Sequence, residues 1–201
     1  HLSVADGDCV DLTNLQRQEI HREDTVGLNK AISAVNQLGA LNSTISINAI
    51  QERLAGEVLE NAVKSADVVL DCSDNFVTRH SINRACVFYS KPLVSGAAIR
   101  FDGQITSFDL GKADSPCYHC LFPDQADLEE ERCAVMGVFA PLVGIVGAMQ
   151  TAEAIRLLCH LGEAFSGLLM MFAGLSFSWQ SVSFLGDTTC LVCASNAVRA
   201  V

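Results

Sequence analysis

The stretch that most constrains this chain is Ala66 to Asn75, where the apolar run Val68-Val69-Leu70 closes on Asp71-Cys72-Ser73-Asp74-Asn75. A valine-rich run ending in polar residues reads as a buried parallel strand emptying into a site at its carboxyl end. Open α/β sheets bind ligands in crevices of that kind. Residues 77–90 then place apolar side chains at helical spacing (Val77, Ile82, Ala85, Cys86, Tyr89), so Asp74 and Asn75 stand where a strand hands over to a helix. A carboxylate there can hold a divalent cation against phosphate oxygens, while the helix amino end offers free N–H groups. The plainer reading is that Asp74 caps the helix.

The flanking segments predict an α/β fold. Leu2 to Ala5 is a short strand delivering Asp6; in a dinucleotide-type fold an acidic residue so placed hydrogen-bonds a ribose hydroxyl, although Asp6-Gly7-Asp8 alone is equally a turn. After the polar segment Val10 to Gln18 comes a helix with apolar positions at Leu28, Ile32, Val35 and Leu38, ended by Gly39. Lys30 lies in its first turn, where a cation opposes the helix dipole and so suggests an anionic ligand. Ser43 to Ile50 alternates as a strand, and Glu57 to Val63 forms a short helix. Pro92 to Ala98 is another buried strand, and Phe101 to Phe108 a more exposed one. Gly137 to Leu161 is a long buried helix, and residues 168–172 and 177–184 are two late strands. This βαβα rhythm predicts a Rossmann-like, mostly parallel sheet flanked by helices, with antiparallel strands added late.

At 201 residues the chain can bury a sizeable core within one domain. A formal charge of −10 and a pI near 4.8 argue against a nucleic-acid surface, so any anionic nucleotide must be met by local cations. Half the residues are apolar and the mean hydropathy is +0.30, which points to a subunit interface or a missing piece of the fold; a homodimer is expected. The longest apolar run, Ala134 to Met149, contains Pro141 and three glycines and stops short of the ~20 residues that span a bilayer. Neither a membrane segment nor a signal peptide is expected. Asp124 to Arg132 carries six charged residues in nine and reads as a solvated loop.

Nine cysteines, four of them in Cys117-x-x-Cys120 and Cys190-x-x-Cys193, fit a metal in a reducing cytoplasm better than a disulfide framework. Zinc takes four thiolates tetrahedrally from two such knuckles, and here the site would staple the late strands to the loop before the long helix. A redox Cys-x-x-Cys is the competing reading, but redox motifs come singly. Cys9, Cys72, Cys86 and Cys159 lie in apolar contexts and read as core residues.

Taken in order, Asp6-Gly7-Asp8-Cys9-Val10-Asp11-Leu12-Thr13-Asn14-Leu15-Gln16-Arg17-Gln18, Val26-Gly27-Leu28-Asn29-Lys30, Asp71-Cys72-Ser73-Asp74-Asn75 and the two cysteine pairs closely resemble the MoeB/ThiF/HesA adenylyltransferases, bacterial relatives of ubiquitin-activating enzymes. Residues 92–104 look especially like the MoeB branch. The resemblance covers essentially the whole chain. It implies ATP-dependent adenylylation of the terminal Gly-Gly carboxylate of a small β-grasp sulfur carrier, MoaD-like or ThiS-like, with Mg2+ as cofactor and Zn2+ in the cysteine site. By position in the family motifs, Asp74 is the magnesium-linked catalytic carboxylate, and Arg17 and Lys30 are the phosphate-contacting cations. Asp6 is the ribose-binding acid, while Thr13, Asn14, Leu15, Gln16 and Asn75 complete the nucleotide site. Cys133 falls where some branches carry a cysteine linked covalently to the carrier; Arg132 would favour its thiolate and Glu129 to Glu131 would oppose it.

The departure from the family is at the beginning. Its glycine-rich loop and an amino-terminal arginine would both precede His1, so residues 1–201 read as one adenylyltransferase domain truncated at its amino end. The rivals are activation of the thiamine-pathway carrier, a nicotinamide dehydrogenase, and a truncated module that dimerises without catalysis. A dehydrogenase has no use for a magnesium-linked carboxylate or a four-thiolate zinc.

Overall fold

The computed structural model describes residues 1–112, 114–123, 137–162 and 165–194. Two compact units emerge, His1–Val58 and Leu59–Val201, each with its own sheet. In the first, β1 (Leu2–Ala5) pairs in parallel with β2 (Ile47–Ile50), and helix α1 (Lys30–Leu41) makes the crossover and packs on both strands. Asn29 starts α1 by accepting hydrogen bonds from the amides of Ala31 and Ile32. Gly39 does not end it. The helix runs two residues further, because Gly39 stays out of the left-handed conformation that terminates helices. Beneath α1, His21 is buried with its Nδ1 2.9 Å from Ser33 Oγ. Helix α2 (Gly56–Ser65) begins at the end of this unit.

The second unit has strand order β3-β4-β5-β6-β7. Strand β3 (Val69–Asp71) is parallel to β4 (Leu93–Ile99), and helix α3 (Phe76–Phe88) connects them. From β4 onward the pairing is antiparallel, through β5 (Asp102–Phe108), β6 (Leu168–Ala173) and β7 (Ser178–Ser183). The predicted Rossmann-like architecture with late antiparallel strands is therefore present. A four-residue helix, α4 (Tyr118–Leu121), carries the first cysteine pair, and α5 (Ala140–Leu158) lies across β3, β4 and β5.

Two further expectations change. Strand β5 is not the more exposed one: Ile105 to Phe108 are all buried, because β5 is flanked by β4 and β6 and covered by α5. Helix α5 is buried on one stripe only. Leu142, Val146, Gln150, Glu153 and Ala154 face the sheet, whereas Ile155 and Leu158 on the outer side are about half exposed, at 51% and 49%. Uniform apolarity made the whole helix look buried, yet within this chain only one side has a sheet to meet. Glu153, fully buried, ties α5 down by accepting from Ser107 Oγ (2.7 Å) and Phe165 N (2.9 Å) and pairing with Arg156 (3.0 Å). Among the described residues no helix is long and apolar enough to cross a membrane.

Gly96 on β4 sets how closely α5 approaches. A Cβ there would stand 2.4 Å from Gln150 Cδ and 2.8 Å from Val146 Cγ1. Gly96→Ala is therefore expected to cost about 1–3 kcal/mol by overpacking, seen as a lower urea midpoint at unchanged m-value. Burial pushes the His21 pKa below its ordinary 6.5, and the charge of Lys30 acts in the same direction. The folded protein thus binds this proton less readily than the unfolded chain. Its contribution to stability is complete above pH 6.5 and is lost as the pH falls from there through the lower folded value. Melting curves from pH 8 to 5 should show the advantage of wild type over His21→Gln shrinking as acid is added.

Candidate functional site

In the first unit, β1 delivers the chain to a loop held by its own side chains. Asp6 Oδ1 accepts from Asp8 N (2.8 Å), and the Asp6 carbonyl accepts from Asn29 Nδ2 (2.9 Å), tying the strand end to the start of α1. Gly7 is required here, because a Cβ would lie 2.8 Å from Arg53 N. Asp8 receives Arg53 Nη2 at 2.9 Å and Lys30 Nζ at 3.5 Å. The Arg53 hydrogen bond, helped by the charge of Lys30, holds the Asp8 carboxyl below the usual carboxylate range. Lys30 opens α1 with its side chain only 14% exposed.

Beyond Asp8 a 3-10 turn, Leu12–Asn14, closes on a reciprocal cap. Asp11 Oδ1 accepts from Thr13 N (2.8 Å) and Thr13 Oγ1 (2.6 Å), and Asn14 Oδ1 accepts from Asp11 N (3.0 Å). Arg17 reaches back to the Thr13 carbonyl (3.3 Å). Thr13 and Asn14 thus shape the loop. Gln16 is exposed, while Leu15 and Arg17 are half-buried.

In the second unit, Asp74 is exposed and does not cap α3. The cap is Asn75, whose side chain accepts from Thr78 N at 2.9 Å, and Asn75 Nδ2 donates to Asp74 Oδ1 at 3.3 Å. Beneath this turn is a buried ion pair, Asp71 with Arg79, at 3.5 Å. Asp71 Oδ1 accepts from Ser73 N (3.0 Å) and Ser73 Oγ (2.7 Å). Arg79 donates to Ser95 Oγ (3.0 Å), the Gly96 carbonyl (3.0 Å) and the Ser73 carbonyl. Gln150, from α5, donates to the carbonyls of Asp71 (2.9 Å) and Val94 (3.4 Å).

Arg79 and Gln150 were not found from the sequence. Apolar periodicity put Val77 on the inner face of α3, but Val77 is 66% exposed and the buried face carries Arg79, His80 and Asn83. An arginine in the first turn of the helix that follows a strand-end aspartate is the signal the sequence offers. The core assignment of the lone cysteines holds only for Cys86, which is buried with its thiol pushed up to about 12 by that burial and, next, by the Asp71 charge. Cys9, Cys72 and Cys159 are exposed residues at loop and helix ends. The Cys72 thiol nevertheless turns inward to Gln150 Oε1 (3.7 Å), and desolvation there, with Asp71 close by, raises its pKa. Cys133 and the acidic segment before it lie outside the described residues.

The two cysteine pairs converge. Sγ–Sγ distances are 3.9 Å for Cys117–Cys120, 3.8 Å for Cys117–Cys190 and 3.4 Å for Cys120–Cys193, and all four sulfurs lie within 4.8 Å of one another. Tetrahedral thiolate ligation at ~2.3 Å puts sulfurs about 3.8 Å apart, whereas a disulfide needs about 2.05 Å. The cluster is thus shaped for a metal ion. Asn83 Nδ2, Asp187 N and Val192 N donate to Cys117, Cys120 and Cys190 at 3.6, 3.4 and 3.5 Å, which favours the thiolate forms a metal requires.

The family model of the ThiF family matches residues 1–192. This chain belongs to the ThiF family. It is 41% identical over 197 residues to the "Sulfur carrier protein ThiS adenylyltransferase" of Escherichia coli, covering 98% of this chain and 77% of that protein. Identity to the "Molybdopterin-synthase adenylyltransferase" of Salmonella typhimurium is 37% over 195 residues, covering 96% and 76%. The chain spans less than half, 45%, of the "Adenylyltransferase and sulfurtransferase MOCS3" of Dictyostelium discoideum, to which it is 38% identical. The crystal structure of E. coli MccB with ATP shares the fold, with a TM-score of 0.81 at 23% identity over 96% of this chain and 59% of that one. In this ThiF-family chain the cysteine cluster joins α4 to the segment after β7. Replacing Cys117 by serine, or adding a strong chelator, is expected to remove bound metal and lower stability by on the order of 4 kcal/mol, checked by metal analysis alongside thermal melting.

Proposed function

We propose that this chain carries out ATP-dependent adenylylation of the C-terminal Gly-Gly carboxylate of a small β-grasp sulfur carrier. The observation that supports this most is the placement of Asp74. It is an exposed carboxylate on a tightly bonded turn at the carboxyl end of β3 and the amino end of α3, in a chain 37–41% identical to two named adenylyltransferases. We read residues 1–201 as belonging to one such domain.

In the reaction, an oxygen of the carrier carboxylate attacks the α-phosphorus of ATP, the α–β phosphoanhydride bond breaks, and pyrophosphate leaves with the bonding electrons. Two anions must meet, so positioned charge is the main requirement. On this reading Asp6 holds the ribose, Arg17 and Lys30 contact the phosphates, and the loop from Thr13 to Gln16 shapes that end of the nucleotide site. Asp8 competes with phosphate for Lys30, keeping the ammonium oriented until the nucleotide arrives. Asp74 has the chemistry for Mg2+, which binds through one or two carboxylates plus substrate phosphates. Mg2+ held by Asp74 would supply positive charge to offset that developing on the leaving pyrophosphate. Asn75 fixes the first turn of α3 behind it. We assign the cysteine cluster to a structural Zn2+ held by Cys117, Cys120, Cys190 and Cys193, closed to substrate, and leave Cys133 as a candidate covalent partner of the carrier. The half-exposed apolar side of α5 fits a homodimer contact, and the thiol-rich composition fits a reducing cytoplasm.

The carrier is MoaD-like on the motif at residues 92–104. A ThiS-like carrier is the second reading, favoured by the 41% identity to the ThiS adenylyltransferase. ATP–pyrophosphate exchange by the full-length protein separates them according to which carrier supports it. Asp74→Ala should reduce exchange by about 10³-fold or more with circular dichroism unchanged. Exchange at the wild-type rate in that variant would remove the assignment.

A further inference from the structure

We propose that the buried Asp71–Arg79 pair is a positioning device that fixes the turn carrying Asp74, and that Arg79 is required for it as an arginine. The proposal rests on the reading of Asp74 as the magnesium-linked carboxylate.

The bonds around the turn carry the inference. Ser73, immediately before Asp74, is held on both sides of its backbone: its amide donates to Asp71 Oδ1 at 3.0 Å and its carbonyl accepts from Arg79 Nη2. Its hydroxyl donates to the same Asp71 oxygen at 2.7 Å. Asn75, immediately after, is fixed by its bond from Thr78 N. The carbonyl of Asp71 is held from α5 by Gln150 at 2.9 Å. The second Asp71 oxygen takes Ser95 Oγ at 3.2 Å and Arg79 Nη1 at 3.5 Å. Ser73, on one side of Asp74, is tied to Asp71 and Arg79, and Asn75, on the other, to the first turn of α3, while Asp74 itself is exposed.

An ion pair at 1% and 7% exposure is a poor device for stability alone, because well-packed apolar side chains of similar volume serve as well or better. What apolar side chains cannot do is bond the Ser73 amide and carbonyl together. The guanidinium reaches three segments at once: β3 at Asp71, the turn at Ser73, and β4 at Ser95 and Gly96. A lysine ammonium keeps the charge but lacks the planar fork that spans them.

The test uses the full-length protein and three variants, Arg79→Lys, Asp71→Asn and Ser95→Ala, with Leu142→Ala as a core variant of the same unit outside the network. Two readouts are followed. The first is hydrogen exchange of the amides of residues 73–75 without nucleotide or metal. The second is the Mg2+ concentration for half-maximal ATP–pyrophosphate exchange, measured at saturating ATP and carrier. Arg79→Lys and Asp71→Asn should exchange these amides faster and require about 10- to 100-fold more Mg2+. Ser95→Ala, which removes a single partner of the pair, should shift both readouts the same way by a smaller factor, and it serves where either of the other two fails to fold. Leu142→Ala should lower the melting temperature and leave the Mg2+ requirement unchanged. A wild-type Mg2+ requirement in Arg79→Lys or in Ser95→Ala, or an equal shift in Leu142→Ala, would overturn the proposal. Should Asp74→Ala abolish exchange while the network variants behave as wild type, positioning alone fails. Should Asp74→Ala retain exchange, the underlying reading of the site fails instead.

Discussion

Two opposite charges buried beneath a loop dominate the second unit. Asp71 and Arg79 are both shut off from water, so each must find partners inside the protein, and the partners they find define the loop. Asp71 orders Ser73, Arg79 joins Ser73 to the next strand, and Gln150 enters from the long helix because Gly96 leaves room for it. One carboxylate in the segment, Asp74, is left facing solvent. The energetic logic is that of a polar network that is satisfied or ruinous: removing a member leaves a buried charge uncompensated.

The first unit reaches a similar end with less burial. Its charged groups Asp8, Lys30 and Arg53 stay near the surface, and the loop is shaped by short-range bonds among Asp6, Asp8, Asp11, Thr13, Asn14 and Asn29. Asn14 shows how a residue carried over from a family motif acquires a physical role. Its amide oxygen closes the cap on Asp11, so it contributes by holding the turn.

Much of the fold is legible in the sequence, because strands β1, β3 and β4 are short, largely apolar runs bounded by polar residues and their spacing leaves room for crossover helices, although β3 is not the buried strand that its valines suggest: Leu70 is 39% exposed and the buried member is Asp71. The cysteine cluster was legible for a different reason: two Cys-x-x-Cys knuckles restrict ligand geometry enough that separation along the chain matters little, and the sulfurs do converge. What escaped was set by tertiary context. Strand β5 reads in the sequence as more exposed than β4, but its place in the middle of the sheet buries Thr106 and Ser107 as thoroughly as Phe108. On helix α3 the apolar positions Ala85 and Cys86 are buried as their spacing predicts, but Arg79, His80 and Asn83 are buried too; a periodicity count treats arginine as a solvent marker and cannot register that Asp71 awaits it. Cys9 and Cys159 were judged by apolar neighbours in sequence, although their positions at element ends leave them exposed.

Together these features describe a ThiF-family chain in which a carboxylate stands on a bonded turn, two cations lie on an earlier loop and helix start, and a four-cysteine cluster joins α4 to the segment after β7. In the proposed reaction this chemistry transfers AMP to a protein carboxylate. Intact-mass analysis of the carrier after incubation with the full-length protein, ATP and magnesium tests it most directly. An AMP adduct on the Gly-Gly terminus that disappears when the last glycine is removed is the expected result. A carrier that is phosphorylated instead, with ADP released, or one that stays unmodified while ATP is bound, would contradict it.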